Sequence, residues 1–92
     1  MKQILIINIS GPDQPGVTAS LTQVLSEYQA DILDIGQAVI HRHLALGIMI
    51  RLPTECDQAG LEQDLARQAD TLGVDLTCRP VADRVYEEWV GR

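Results

Sequence analysis

Apolar residues recur along the chain with two different periods. Gln3–Ile9 carries Ile4, Leu5, Ile6, Ile7 and Ile9 in a near-continuous run, which predicts a strand buried on both faces. The run stops at Ser10-Gly11-Pro12-Asp13-Gln14-Pro15-Gly16, a stretch dense in breakers that reads as a loop. From Val17 the period lengthens. Val17, Leu21, Val24, Leu25 and Tyr28 share one helical face, with Thr18, Gln23, Ser26 and Glu27 on the others. Asp31–Ile40 and Leu44–Leu52 are extended apolar segments around His41-Arg42-His43, and the second alternates through Leu44, Leu46, Ile48, Ile50 and Leu52. They predict a long antiparallel hairpin whose turn lacks the Asn-Gly that would set its register. After a loop at Pro53-Thr54-Glu55-Cys56, Asp57 can cap a second helix lined by Leu61, Leu65, Ala69 and Leu72. Gly73 stands where a left-handed C-terminal cap is expected. Val74, Leu76 and Cys78 then alternate with Asp75, Thr77 and Arg79 in a fourth strand that Pro80 ends.

The order β-α-β-β-α-β packs most economically as an α+β, ferredoxin-like sandwich: a four-stranded antiparallel sheet with both helices on one face. Residues 1–80 make up the domain. Val81–Arg92 extends beyond the last element, toward a following domain, and its Val85, Tyr86, Trp89 and Val90 make it a segment that packs on something rather than a free linker.

Composition narrows the function. The 92 residues suffice for one domain. Tyr28, Tyr86 and Trp89 are the only aromatics, so the core must be aliphatic. No apolar run approaches the roughly 20 residues of a membrane span, and the N-terminus does not read as a signal peptide, so a cytoplasmic location is expected. A formal charge of −6 with no basic stripe argues against nucleic-acid partners. Cys56 and Cys78 lack the spacing of a redox or disulfide motif and read as reduced thiols.

Candidate chemistry concentrates in the connection between the first strand and the first helix. Pro15 has no N–H, Gly16 has no side chain, and the helix opening at Gly16 and Val17 turns unpaired amides outward, a setting that favours a small anion. Asp13 beside it is a fixed negative charge. Amides for a carboxylate and a carboxylate for an ammonium together suit a free α-amino acid. The alternative is structural: Asp13 caps the helix by accepting the Gly16 N–H. His41 and His43 form an HxH pair at strand spacing but lack an evident third ligand, so no metal site is expected. Gly36 and Gly47 flank the hairpin tip and can face each other, either as a weak point in the strands or as a clearing for close approach. No nucleophile elbow, HExxH, P-loop or dinucleotide-binding glycine pattern occurs, and neither enzymatic activity nor a cofactor is expected of this chain.

Ser10-Gly11-Pro12-Asp13-Gln14-Pro15-Gly16-Val17-Thr18-Ala19 resembles the corresponding stretch of ACT domains, the small regulatory modules of amino-acid metabolism. The similarity continues through Ala30–Gln37. Val39–Gly47, Arg79-Pro80 and Arg84–Val90 are similar to the N-terminal part of bacterial phosphoserine phosphatases. The resemblance implies binding of a small amino acid, often serine, where two domains meet, as a homodimer or by intramolecular pairing with a second ACT domain. Carried onto this chain, the implied contacts are Asp13, Gly16, Val17 and Thr18, with Asp31 and Ile32. Several serine-binding ACT domains have asparagine at the positions of Asp13 and Asp31. An ionised carboxylate only accepts hydrogen bonds, so aspartates favour the ligand's ammonium end. The aspartyl-nucleophile motif of the phosphatase family is absent, which makes this chain a sensor without the enzyme.

Three other functions share the strand order. A structural assembly module would use a sheet edge to pair without any ligand. A two-domain repressor of glycine metabolism would contain this unit as one half. RNA-binding domains stack bases on aromatics of the first and third strands, and here those strands contain none.

Overall fold

The computed structural model describes residues 3–81. Within them the elements are β1 (Gln3–Pro12), α1 (Val17–Glu27), β2 (Asp31–Ile40), β3 (His43–Leu52), α2 (Gln58–Leu72) and β4 (Asp75–Val81). The strands form one antiparallel sheet in the order β2-β3-β1-β4, the ferredoxin-like arrangement expected from the sequence. Of the Val81–Arg92 segment only Val81 belongs to the described residues; whether the segment packs on anything lies outside them.

One face of the sheet is dry. Leu5, Ile7 and Ile9 of β1 and Leu44, Leu46, Ile48, Ile50 and Leu52 of β3 are buried against Val17, Leu21 and Leu25 of α1 and Leu61, Leu65 and Ala69 of α2. The strict alternation of β3 is that of a strand between one dry and one wet face. β1 departs from its expected burial on both faces: Ile6 is half-buried and Asn8 is exposed, because among the described residues no helix covers the second face. Ile4, also on that second face, is buried and lies outside the helix-side cluster.

β1 is also longer than predicted. Ser10, Gly11 and Pro12 continue the ladder with β3, paired to Ala45, Leu44 and His43, where a loop was expected. Gly11 permits this by packing against Val74, which a Cβ at Gly11 would meet at 2.9 Å. Pro80 likewise sits inside β4 rather than ending it, paired to Leu5. β4 is an edge strand, and an edge tolerates a residue with no N–H to donate.

The helix ends follow their sequence signals. Asp57 accepts the Gly60 N–H at 3.0 Å, and Gly73 takes the left-handed conformation, φ 72°, that closes α2. The Tyr28 hydroxyl donates to Asp64 Oδ2 at 2.5 Å and ties the end of α1 to α2. That hydrogen bond, then burial and the Asp64 charge, push the phenol up to about 12.

The hairpin turn is His41-Arg42, with His43 already in β3. Both turn residues have positive φ, 49° and 66°, the geometry that normally selects Asn-Gly. Holding L-residues there costs about 1–2 kcal/mol each. Replacing His41-Arg42 by Asn-Gly should therefore raise stability by about 1–2 kcal/mol in a urea melt; an unchanged midpoint would show that the turn is unstrained.

The raised Tyr28 value predicts a stability loss at alkaline pH. A proton held more tightly in the folded state stabilises it fully below the ordinary tyrosine value, and this contribution disappears as pH rises from 10 toward 12. Tyr28→Phe should remove both the late phase of the phenolate absorbance titration and the stability loss assigned to it. A late phase that persists in the variant would assign it to another group.

Candidate functional site

The Asp13–Gly16 loop leaves β1 at one end of the sheet and is held on two sides. The Asp13 backbone N–H donates to the Arg42 carbonyl at 2.8 Å, which ties the loop to the hairpin turn. The Gln14 side-chain amide donates to the carbonyl of Leu72 at the end of α2. Pro15-Gly16 then turns the chain into α1. Gly16 has φ 87° and ψ −2°, the left-handed corner of a type II turn that follows naturally from proline.

Gly16 is the N-cap of α1, and no side chain caps this helix end. The Asp13 carboxylate does not accept the Gly16 N–H; Asp13 is exposed, and the structural reading of it as a helix cap does not hold. The first-turn amides therefore open onto a surface where Asp13, Pro15 and Gly16 are all exposed. Of the four loop residues implied by the resemblance, Asp13 and Thr18 can offer side chains. The Val17 side chain is buried in the core, so this residue can offer only its backbone.

Asp31 and Ile32 are not at this end. Asp31 pairs with Arg51 and Pro12 pairs with His43, eight residues further along β3, so the two groups are separated by roughly 27 Å. Asp31 lies on the open face. An irregularity between Ile32 and Asp34 shifts the register, so that Asp34 shares that face with Asp31 although the two are three positions apart. Ile32 points to the helix side, yet it is 44% exposed, as is Ile35. Neither helix covers β2, and no β2 residue belongs to the core. Val39 at 47% and Ile40 at 66% complete an apolar, unpaired edge that runs from Asp31 to the end bearing the loop.

Gly36 and Gly47 are direct cross-strand partners and continue through Asn8 to Thr77, a row of small or polar residues across all four strands. A Cβ at Gly36 would meet nothing within 4 Å, and one at Gly47 would meet Asn8 Oδ1 at 3.7 Å. A depression of about 320 Å³ lies beside Gly47, lined also by Asn8, Ser10, Ala45, Asp75 and Thr77, and no residue of the Asp13–Gly16 loop lines it.

The other candidates do not cluster with one another among the described residues. His41 occupies the turn and His43 the strand, and among the described residues no three His, Cys, Asp or Glu side chains converge as a metal site would need. Cys56 and Cys78 are unpaired and half-buried. Burial, with Asp57 and Glu55 nearby, raises the Cys56 thiol, and burial with Glu62 pushes Cys78 up to about 11, so both remain protonated at neutral pH. Sequence reasoning missed the loop anchors, Gln14 and the Arg42 carbonyl. Neither has a local signature, since each depends on which distant backbone atom folding brings alongside.

Known proteins agree with this architecture. The sequence matches the ACT domain family over residues 3–79. It is 34% identical over 76 residues to phosphoserine phosphatase SerB2 of Mycobacterium tuberculosis, covering 82% of this chain and 19% of that protein. The chain thus spans about a fifth of that relative's length. It is 32% identical over 72 residues to the UPF0237 protein MK1213 of Methanopyrus kandleri, covering 77% of this chain and 80% of that protein. A solved structure of a candidate glycine cleavage system transcriptional repressor superposes with a TM-score of 0.81 at 17% identity, covering 89% of this chain and 47% of that one. A family match over nearly the whole described region, on a βαββαβ sandwich, shows that this chain belongs to the ACT domain family of regulatory domains.

Proposed function

We propose that this chain senses a small amino acid, with serine the leading ligand, at a site completed only when two ACT domains pair. The observation that carries the reading is the start of α1: its amides have no side-chain cap, and Asp13 stands beside them without a capping role. Amides can take the ligand's carboxylate and Asp13 its ammonium. Two-fold pairing of β2 edges supplies the rest. It sets two β2 strands antiparallel, so the partner's first β2 residues fall beside the Ile40 end and hence beside the loop. Residues some 27 Å apart in one chain thereby become neighbours.

The similarity to SerB2 supports a role as the sensing part of a phosphoserine phosphatase in serine biosynthesis, in the cytoplasm, with no catalysis by this chain. The likeness to about half of a candidate glycine cleavage repressor supports a second reading, one half of a two-domain repressor of glycine metabolism. A ligand-free assembly module rests on the same exposed β2 edge and differs in having no use for the open loop.

Calorimetric titration of the assembled protein with serine and glycine tests the proposal. Asp13→Ala should weaken binding about ten- to a hundred-fold, the worth of a charge-assisted hydrogen bond. Because Asp13 caps nothing, the same variant should change stability by less than about 0.5 kcal/mol. Gly16 variants are less clean, since φ 87° strains any side chain whatever the ligand does. A dimer that binds neither amino acid at millimolar concentration would leave the assembly reading.

Light scattering should show self-association, and Val39→Lys with Ile40→Lys on the exposed edge should shift the chain toward monomer. A wild-type monomer at high micromolar concentration would remove the paired site from consideration.

A further inference from the structure

The sheet face turned away from the helices has two unlike halves. Successive strand residues alternate between faces, and Ile7, Ile9, Leu46 and Ile48 lie in the helix-side cluster, with Leu76 and Cys78 packed against it. Their neighbours therefore face the other way, and the pairing sets them in rows across β2, β3, β1 and β4. One row is Asp34, Met49, Ile6 and Arg79; the next is Gly36, Gly47, Asn8 and Thr77; the third is Ala38, Ala45, Ser10 and Asp75. The first row stands high, because Met49, Ile6 and Arg79 are long. The third is low, since Ala38 and Ala45 end at Cβ and Ser10 one atom later. The depression of about 320 Å³ is lined mainly by the second and third rows, with Asp75 at its rim. Its volume is about twice the 150 Å³ that admits benzene, so aliphatic side chains fit it.

We propose that this face docks on the same face of a second copy of the chain, about a two-fold axis running along the Gly36-Gly47-Asn8-Thr77 row. That operation sets the high row of each chain on the low row of the other. Met49 then lies over the partner's Ala45 and Ile6 over the partner's Ser10, so both enter the depression. Arg79 falls opposite the partner's Asp75, and symmetry makes this pair twice. An extended arginine facing an aspartate bridges the separation of about 10 Å between packed sheets. Gly36 and Gly47 meet their own copies at the axis, where the sheets come closest.

Charge and shape together choose this arrangement. An axis parallel to the strands would also oppose Arg79 to an aspartate, Asp34. It would, however, stack Met49 on Ile6, high on high, and leave the depression facing glycine and alanine. Four strands and about five rows present a plane of about 500 Å² per chain, which reaches the lower limit of area for specific association. Stacking leaves the β2 edge free. The edge pairing proposed above sets Asp31 beside Ile40 and is centred near Gly36, so the two axes are perpendicular and combine into a closed assembly of four chains.

Sedimentation velocity on the full chain tests face and edge separately. Wild type should associate as four chains at high micromolar concentration. Ile35→Lys with Val39→Lys, on the helix side of β2, blocks the edge alone and should leave a face-paired dimer. In that edge-blocked chain Arg79→Asp or Asp75→Arg should each weaken dimerisation about ten-fold, and both together should restore it to within about three-fold. Positions 75 and 79 lie about 13 Å apart along one strand, so the double variant regains a pair only between chains. Gly47→Ile should abolish the face pair: a Cβ there stands 3.7 Å from Asn8 Oδ1, an ordinary contact within the chain, yet the side chain blocks the axis. Circular dichroism checks that each variant is folded. If the edge-blocked chain is not, the same charge series in wild type decides, with four chains falling to two and returning to four. A folded edge-blocked chain that is monomeric at high micromolar concentration overturns the proposal. So do single charge variants that associate as before, or a loss that the double variant does not rescue. A wild-type dimer that the edge variants leave intact and the charge series breaks and restores supports the face and counts against the edge pairing alone.

Discussion

Burial of one sheet face under two helices is the constraint from which the other features of this domain follow. α1 and α2 deliver Val17, Leu21, Leu25, Leu61, Leu65 and Ala69 onto the inner residues of β1 and β3, and every one of these is buried. Full burial of each such side chain contributes about 1.5–3 kcal/mol, so the cluster together outweighs the helix caps and the exposed Arg67–Asp64 pair. Two helices placed over β1, β3 and β4 do not reach β2. Among the described residues the strand pairs only with β3, and its helix-side Ile32, Ile35 and Val39 stay largely open. The same packing that stabilises the domain thus leaves it with an edge to pair.

The loop at the hairpin end of the sheet is anchored without being closed. Gly11 lets β1 run on against Val74, which carries the chain to the sheet end before it turns. Backbone and side-chain hydrogen bonds to Arg42 and Leu72 hold Asp13 and Gln14, and Pro15-Gly16 starts α1 in one step. A helix end left without a cap forgoes about 0.5–2 kcal/mol that a side-chain cap would contribute. α2 makes the opposite choice, with Asp57 seated on the Gly60 N–H. The two helices of one small domain therefore differ at their starts: α2 is closed for stability, and α1 is left available.

In the proposed two-fold pair, the exposed edge of one chain and the open loop of the other would meet through symmetry. One chain separates its loop from Asp31 by the length of the sheet, whereas a two-fold pair brings the loop of one chain to the strand start of the other. A site of that design responds to ligand and to pairing together, since each stabilises the other by linkage. Regulation by such a domain then needs no moving part within the chain.

Local pattern was enough to specify the elements. Alternation in Leu44–Leu52, the helical faces of Val17–Leu25 and Leu61–Ala69, and the caps at Asp57 and Gly73 are each written in residues close in sequence, and each was legible. The motif Asp-Gln-Pro-Gly located the loop and the family resemblance for the same reason. Tertiary structure decided what depends on distant neighbours. Ser10–Pro12 and Pro80 look like breakers and are strand, because an adjacent ladder or an edge position accommodates them. The apolar run of β1 looked doubly buried, but no second layer of helices covers its other face among the described residues. His41-Arg42 carries no turn signal, because the long ladder on either side holds the two residues at positive φ. Asp13 could be a cap or a ligand partner on sequence grounds, and only the placement of its carboxylate removed the cap, since a hydrogen bond is set by position in space and not by spacing along the chain.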